Sequence, residues 1–221
     1  SLTDAAPISG PAVVCEPAPT QEATDVTLAM LAQAERPVIM LGGCNWTAEG
    51  RATLQAFAEQ SDIPVLAAFR YQDQYDNFSP TYAGEAGVGM PPHVKKIITE
   101  ADTILAINLR FGEMTTDGYT LLDVPQPKQT LIHVHASSDE IGKIYRPELG
   151  VIAGPNAFCG VLEPISGNWN EWRAACRADF EISLEAPEQP SPVDMARVTE
   201  HLRAVLPEDA ILTNGAGNFA V

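Results

Sequence analysis

Gly42 and Gly43 close the apolar run Arg36-Pro-Val-Ile-Met-Leu41. A glycine pair at the carboxyl end of a buried strand lets backbone without side chains approach a ligand closely, and it equally makes a plain turn. Gly215 and Gly217 recur in the stretch Ala210-Ile-Leu-Thr-Asn-Gly-Ala-Gly-Asn218. There the N–H groups of the turn can converge on an anion, or simply lead a strand into a helix. His133 and His135 alternate along an apolar stretch, so they point the same way from a strand. They read first as satisfied strand-end histidines and second as catalytic ones. Glu113 and Asp117 sit too close to a turn to be assigned as an acid/base pair without geometry. Cys15, Cys44, Cys159 and Cys176 contain no Cys-x-x-Cys pair, which argues against a zinc site or redox motif. They are expected to be reduced and mostly buried. No catalytic residue and no metal ligand is assigned.

Elements able to position such groups must come from a chain of 221 residues, long enough for a full core. The net charge of -16 disfavours nucleic acid or an anionic membrane as partner, because both need clustered Lys and Arg. No apolar run approaches the roughly 20 residues of a membrane span, and the start shows no signal-peptide pattern. A cytoplasmic protein is expected. The chain opens on Ser1 and stops at Val221 as a new pattern begins, which reads as an excised piece.

Helical and extended patterns alternate along the chain. Thr20 caps a helix with inner positions Ala23, Val26, Met30, Leu31 and Ala34, which Arg36-Pro37 ends. The first buried strand follows, then a helix from about Ala48 to Gln60, then a second strand over Ile63 to Ala67. This strand-helix-strand unit forces parallel pairing. Phe69 to Met90 suits a functional loop with a short edge strand near Thr81 to Ala83. Pro91-Pro92 starts a helix with Val94, Ile97, Ile98 and Ala101 inward. Strands follow at Ile104 to Ile107, Thr130 to Val134 and Gly150 to Ala153, with a short helix from Ser138 to Tyr145. Helices alone continue: Asn156 to Glu163, Trp169 to about Ser183, and one built on Val193, Met195, Val198, Leu202 and Val205. Glu185 to Pro192 is a linker, and Ala210 to Thr213 a strand start. Trp46 packs at the crevice mouth, and Trp169 with Trp172 anchors the helix that they open. The alternation predicts an α/β fold, a three-layer Rossmann-like domain with a six-stranded, mostly parallel sheet.

Taken in order, Arg-Pro-Val-Ile-Met-Leu-Gly-Gly, Leu-Arg-Phe-Gly-Glu-Met-Thr-Thr, His-Val-His with Glu-Ile-Gly-Lys, a proline-rich linker and Ile-Leu-Thr-Asn-Gly-Ala-Gly-Asn-Phe resemble the thiamine diphosphate-dependent, acetolactate synthase-like enzymes. By that resemblance, residues 1–18 form the tail of a pyrimidine-binding domain and residues 19–186 the central domain. Residues 187–221 form a linker and the first helix and strand of a diphosphate-binding domain. The implied full-length enzyme decarboxylates, ligates or cleaves next to a 2-oxo acid, using thiamine diphosphate and Mg2+ as a homodimer or homotetramer. Its metal motif is expected beyond Val221 and its activating glutamate before Ser1, which leaves the segment catalytically silent.

In the same family the central domain holds FAD, ADP or nothing. The resemblance implies that Gly42 and Gly43 approach a nucleotide, that Arg110 meets its phosphates, and that residues 133–140 lie near its adenosine end. Gly217 and Asn218 match the turn that faces the cofactor diphosphate, with Phe219 where acetolactate synthases have His. Two departures bear on FAD. Arg110-Phe-Gly-Glu113 replaces the Arg-Phe-Asp-Asp of flavin-binding members, and His135 replaces an acidic residue of the kind that fixes a ribose hydroxyl. Without the resemblance, Arg110 reads as an exposed or carboxylate-paired loop arginine. A nucleotide-binding module and an unliganded scaffold are the alternative functions.

Overall fold

The computed structural model describes residues 10, 15–185, 192–207 and 209–213. Apolar runs become strands where both faces can be buried: β1 Pro37–Leu41, β2 Val65–Ala68, β3 Tyr82–Ala86, β4 Thr103–Ile107, β5 Thr130–His135 and β6 Leu149–Ile152. They pair in the order β3-β2-β1-β4-β5-β6, every neighbour parallel. The expectation of a mostly parallel sheet is met by a wholly parallel one. Parallel neighbours need long crossovers, which helices α1 Gln21–Ala32, α2 Ala48–Gln60, α3 Pro92–Glu100, α4 Pro155–Cys159 and α5 Asn170–Ser183 supply or flank.

Strand alternation divides the interior into two cores. Ile39 and Leu41 of β1 pack with Leu31 of α1, Leu54 and Phe57 of α2, and Phe158 of α4. Val38 and Met40 face the other way, onto Val94, Ile97 and Ile98 of α3. Three layers result, each fully buried Leu, Ile or Phe contributing roughly 1.5–3 kcal/mol. Edge strand β3 is sealed by α5: the Arg177 guanidinium donates to the carbonyls of Asn77 at 2.9 Å, Ser79 at 2.9 Å and Tyr82 at 3.2 Å. Two indoles fix the start of α5, Trp169 donating to the Ala34 carbonyl at 2.8 Å and Trp172 to that of Pro37 at 2.9 Å. That is the anchoring role expected of them.

Several elements differ from expectation. α1 turns Thr24, Thr27 and Leu31 inward and leaves Val26 40% exposed. The Thr27 hydroxyl donates to the Ala23 carbonyl at 2.8 Å and that of Thr24 to Thr20 at 3.2 Å, so only their methyl faces meet the core. Residues 138–145 form turns rather than a helix. Gly142 has φ +76, and the N–H of Lys143 reaches back three residues to Glu140, not four. β3 runs to Ala86, beyond the short strand expected. α4 stops at Cys159, before the predicted Glu163. Helix α6, Met195–Val205, forms as predicted, with Asp194 as its cap. Ala210 to Thr213 form no strand, because no described strand lies beside them to pair. Cys15 and Cys44 are exposed while Cys159 and Cys176 are buried, and all four are free. The predicted linker overlaps residues 186–191, which lie outside the described residues. Among the described residues, no helix is long and apolar enough to cross a membrane.

Trp169 is 2% exposed and carries both a packing and a hydrogen-bonding role. Trp169→Phe leaves the Ala34 carbonyl unpaired over a partly empty site. Urea unfolding is expected to show a loss of about 2–4 kcal/mol at unchanged m-value. A loss below about 0.5 kcal/mol would show that the indole does not hold α5.

Candidate functional site

The chain moves from β1 toward β2 on one side and from β4 toward β5 on the other, so the strand order reverses between β1 and β4. Diverging loops at the carboxyl ends of such strands open a crevice. Here the loops are Gly42 to Thr47 and the residues that follow Ile107.

Each wall of the crevice has a local cause. Gly42 extends the ladder, its N–H donating to the Ile107 carbonyl at 3.1 Å, and Asn108 does likewise to Val134 at 2.8 Å. Gly43 then turns with φ +70, and a Cβ there would lie 2.5 Å from both the side-chain Nδ2 and the backbone carbonyl oxygen of Asn108. Asn108, itself at φ 54, donates through Nδ2 to the Cys44 carbonyl at 2.8 Å. The Trp46 indole donates to the Gly42 carbonyl at 2.9 Å and is buried at the loop's base, as its predicted packing role requires.

The far end of the loop is held by Asn156 of α4. Its Oδ1 accepts from the Thr47 N–H at 2.8 Å, and its Nδ2 donates to the Asn45 carbonyl at 2.8 Å. Thr47 in turn caps α2, accepting from Gly50 at 3.0 Å. Glu16 caps the start of α4, accepting from Asn156 at 3.2 Å and Ala157 at 2.8 Å.

The crevice has a volume of about 410 Å³, and its lining includes Gly43, Tyr71, Asn108, Arg110, His135 and Ser137. His135 accepts the Ser137 N–H on Nδ1 at 3.0 Å, which assigns the proton of the neutral ring to Nε2. Arg110 is 74% exposed, and its Nε stands 3.9 Å from Glu140, whose carboxylate is closer to Lys143 at 3.0 Å. The Lys143 ammonium, hydrogen-bonded to Glu140, holds that carboxyl below its ordinary value. Imidazole N–H, guanidinium and hydroxyl groups are donors, and donors suit an anion.

His133 lies deeper, its Nε2 within 2.8 Å of the Leu109 carbonyl, so Nε2 carries the proton and Nδ1 is bare. Burial lowers the pKa of both histidines, and the neutral forms prevail. Burial also raises the Cys159 and Cys176 thiols, that of Cys176 to about 12, so neither supplies a thiolate nucleophile at neutral pH.

Gly43 and Arg110 thus line one cavity. Gly42 sits behind it, where a Cβ would meet Leu109 at 3.0 Å and Ala68 at 3.3 Å. Gly217 and Asn218 lie outside the described residues. Glu113 and Asp117 are both exposed, and Asp117 is paired with Lys95. Among the described residues, no group of three or more His, Cys, Asp or Glu could hold a metal ion. Asn108 and Asn156 escaped the sequence reading, while Ser137 falls within the stretch 133–140 that it placed near a nucleotide. The only signal for Asn108 was a polar residue at the end of an apolar run.

Residues 24–162 match the family described as thiamine pyrophosphate enzyme, central domain. The chain is 28% identical over 164 residues to the sulfoacetaldehyde acetyltransferase of Rhodobacter capsulatus, covering 73% of this chain and 28% of that protein. It is 24% identical over 218 residues to the glyoxylate carboligase of Escherichia coli O157:H7, covering 94% and 36%. With the acetolactate synthase isozyme 1 large subunit of Escherichia coli K12 the identity is 25% over 206 residues, covering 91% and 35%. The chain therefore spans about a third of the length of these curated relatives.

Gly43→Ala forces a side chain into Asn108 at a left-handed φ. It is expected to cost about 2 kcal/mol or more in urea unfolding, whereas a cost near zero would mean that the loop relocates freely. A second expectation concerns pH. A histidine whose folded pKa lies below its unfolded value near 6.5 leaves stability intact above that value and removes it as pH falls toward the folded one. The loss is at most about 1.4 kcal/mol per pH unit for each ring. The urea midpoint should fall from about pH 7.5 to about pH 5.5, and fall less in His133→Gln. Equal falls in both proteins would contradict the assignment.

Proposed function

Because the chain belongs to the thiamine pyrophosphate enzyme family through its central domain, we propose that it serves as the non-catalytic, nucleotide-holding middle domain of an acetolactate synthase-like enzyme. That enzyme would make or break a carbon–carbon bond next to a 2-oxo acid carbonyl, as a cytoplasmic homodimer or homotetramer. Its pyrimidine-binding and diphosphate-binding domains would flank the central one. Thiamine diphosphate, held with Mg2+, would supply the electron sink for that chemistry. The described residues assemble no metal-ligating cluster and are assigned no step in it. Gly217 and Asn218 are proposed contacts to the diphosphate.

The observation that carries the nucleotide reading is the donor-lined crevice at the strand-order reversal. In this reading Gly43 brings backbone to the ligand with Gly42 behind it, the Arg110 guanidinium takes a phosphate, and the Nε2–H of His135 donates to a second oxygen. A carboxylate at position 135 would accept from a ribose diol, whereas the Nε2–H of His135 donates and suits a phosphate oxygen. A second reading, an unliganded scaffold, draws support from Asn108 and Leu109, which fill the space that the glycine pair leaves.

Calorimetry with ADP, FAD and CoA separates the two readings. Saturable binding of ADP, weakened about tenfold in Arg110→Ala, is the expected result, and a yellow preparation with flavin absorbance would shift the assignment to FAD. No heat with any of the three would leave the scaffold reading.

A further inference from the structure

Asn156 spends all four hydrogen-bonding positions of its side-chain amide. Oδ1 accepts from the Thr47 N–H at 2.8 Å and from the Thr47 hydroxyl at 3.0 Å. Nδ2 donates to the Asn45 carbonyl at 2.8 Å and to Glu16 Oε1 at 3.1 Å. Glu16 also accepts the backbone N–H groups of Asn156 and Ala157, and the Gly154 N–H donates to the Pro17 carbonyl at 2.8 Å. Three segments far apart in sequence therefore meet at one amide: residues 15–17 ahead of α1, the crevice loop, and the start of α4. Two glycines leave room for the junction. A Cβ at Gly50 would overlap Asn156 Oδ1, and one at Gly154 would overlap the Glu16 side chain.

An ionised carboxylate can only accept, so Glu16 turns Nδ2 toward itself and thereby fixes which amide atom meets Asn45 and which meets Thr47. Asn45 lines the crevice at φ 69, a left-handed conformation that a residue with a side chain keeps where its surroundings hold it. Glu16 and Asn156 themselves stand outside the crevice lining. We propose that Glu16 is a positioning residue for the crevice. Seating residues 15–17 on α4 holds Asn45 in the conformation that shapes the crevice wall, so that a bound ligand and this seating stabilise each other. Such linkage is reciprocal. Its ligand half rests on the nucleotide reading; the tie between Glu16 and the loop does not.

Backbone amide hydrogen exchange, read with and without ADP, tests both halves. Glu16→Ala is expected to speed exchange at residues 44–47 about tenfold or more while leaving β1 and β4 unchanged. It should also weaken ADP binding about fivefold or more. Glu16→Gln, which keeps a side-chain oxygen for Asn156, should recover most of that affinity. In the unmodified protein, ADP should slow exchange at Asn156 and Ala157, whose N–H groups donate to Glu16 and touch no ligand, a response that a purely structural contact would not give. Unchanged exchange at 44–47 in Glu16→Ala overturns the proposal whether or not ADP binds, as does an equal acceleration in β1 and β4. So does ADP affinity equal in the two proteins, or ADP binding that leaves Asn156 and Ala157 unaffected. No ADP binding at all removes the nucleotide reading alone, and exchange at the loop then decides the role of Glu16.

Discussion

The contact between Asn108 and the Gly43–Cys44 backbone fixes the centre of the molecule. β1 and β4 are neighbours in register, Leu41 beside Ile107, and their loops must part within two residues to leave a crevice. Asn108 enforces the parting: it occupies the space that a side chain at position 43 would need and bonds the Cys44 carbonyl. The constraint is steric and polar together. A larger residue at 43 would collide, and an apolar one at 108 would leave the Cys44 carbonyl without its donor. Asn45 and Thr47, tied to Asn156, then deliver the chain into α2.

Around this centre, the sheet divides its chemistry by face. Ile132 and Val134 of β5 point into the core shared with α1, α2 and α4. His133 and His135, on the opposite face, are held neutral by burial beside Phe111 and Arg110. Donors gather at the carboxyl ends of β4 and β5, while the β3 edge is covered by α5 and Arg177. An acidic chain can therefore still present a local site for anions, because field strength over a few ångströms depends on the nearest groups and not on net charge.

Much of this was legible because parallel strands, buried on both faces, read as uninterrupted apolar runs. β1, β4 and β5 stand within a residue of their expected positions. The turns at 138–145 were misread since Ile141, Ile144 and Tyr145 repeat at helical spacing, yet Gly142 adopts φ +76 and Tyr145 enters the core instead. The inner face of α1 was misplaced because Thr24 and Thr27 quench their own hydroxyls on backbone carbonyls and so pack as apolar residues. Arg110 and Gly43, which line the crevice, were singled out through the family resemblance. Asn108 could not be, since its partner Cys44 lies 64 residues away and only the strand order brings them together.

A double-mutant cycle on Gly43→Ala and Asn108→Gly, followed by urea unfolding, measures that constraint most directly. If the Asn108 side chain fills the space above Gly43, the two changes are coupled by about 1 kcal/mol or more, the second relieving part of the first. Additivity within about 0.5 kcal/mol would show that the crevice is held open by something else.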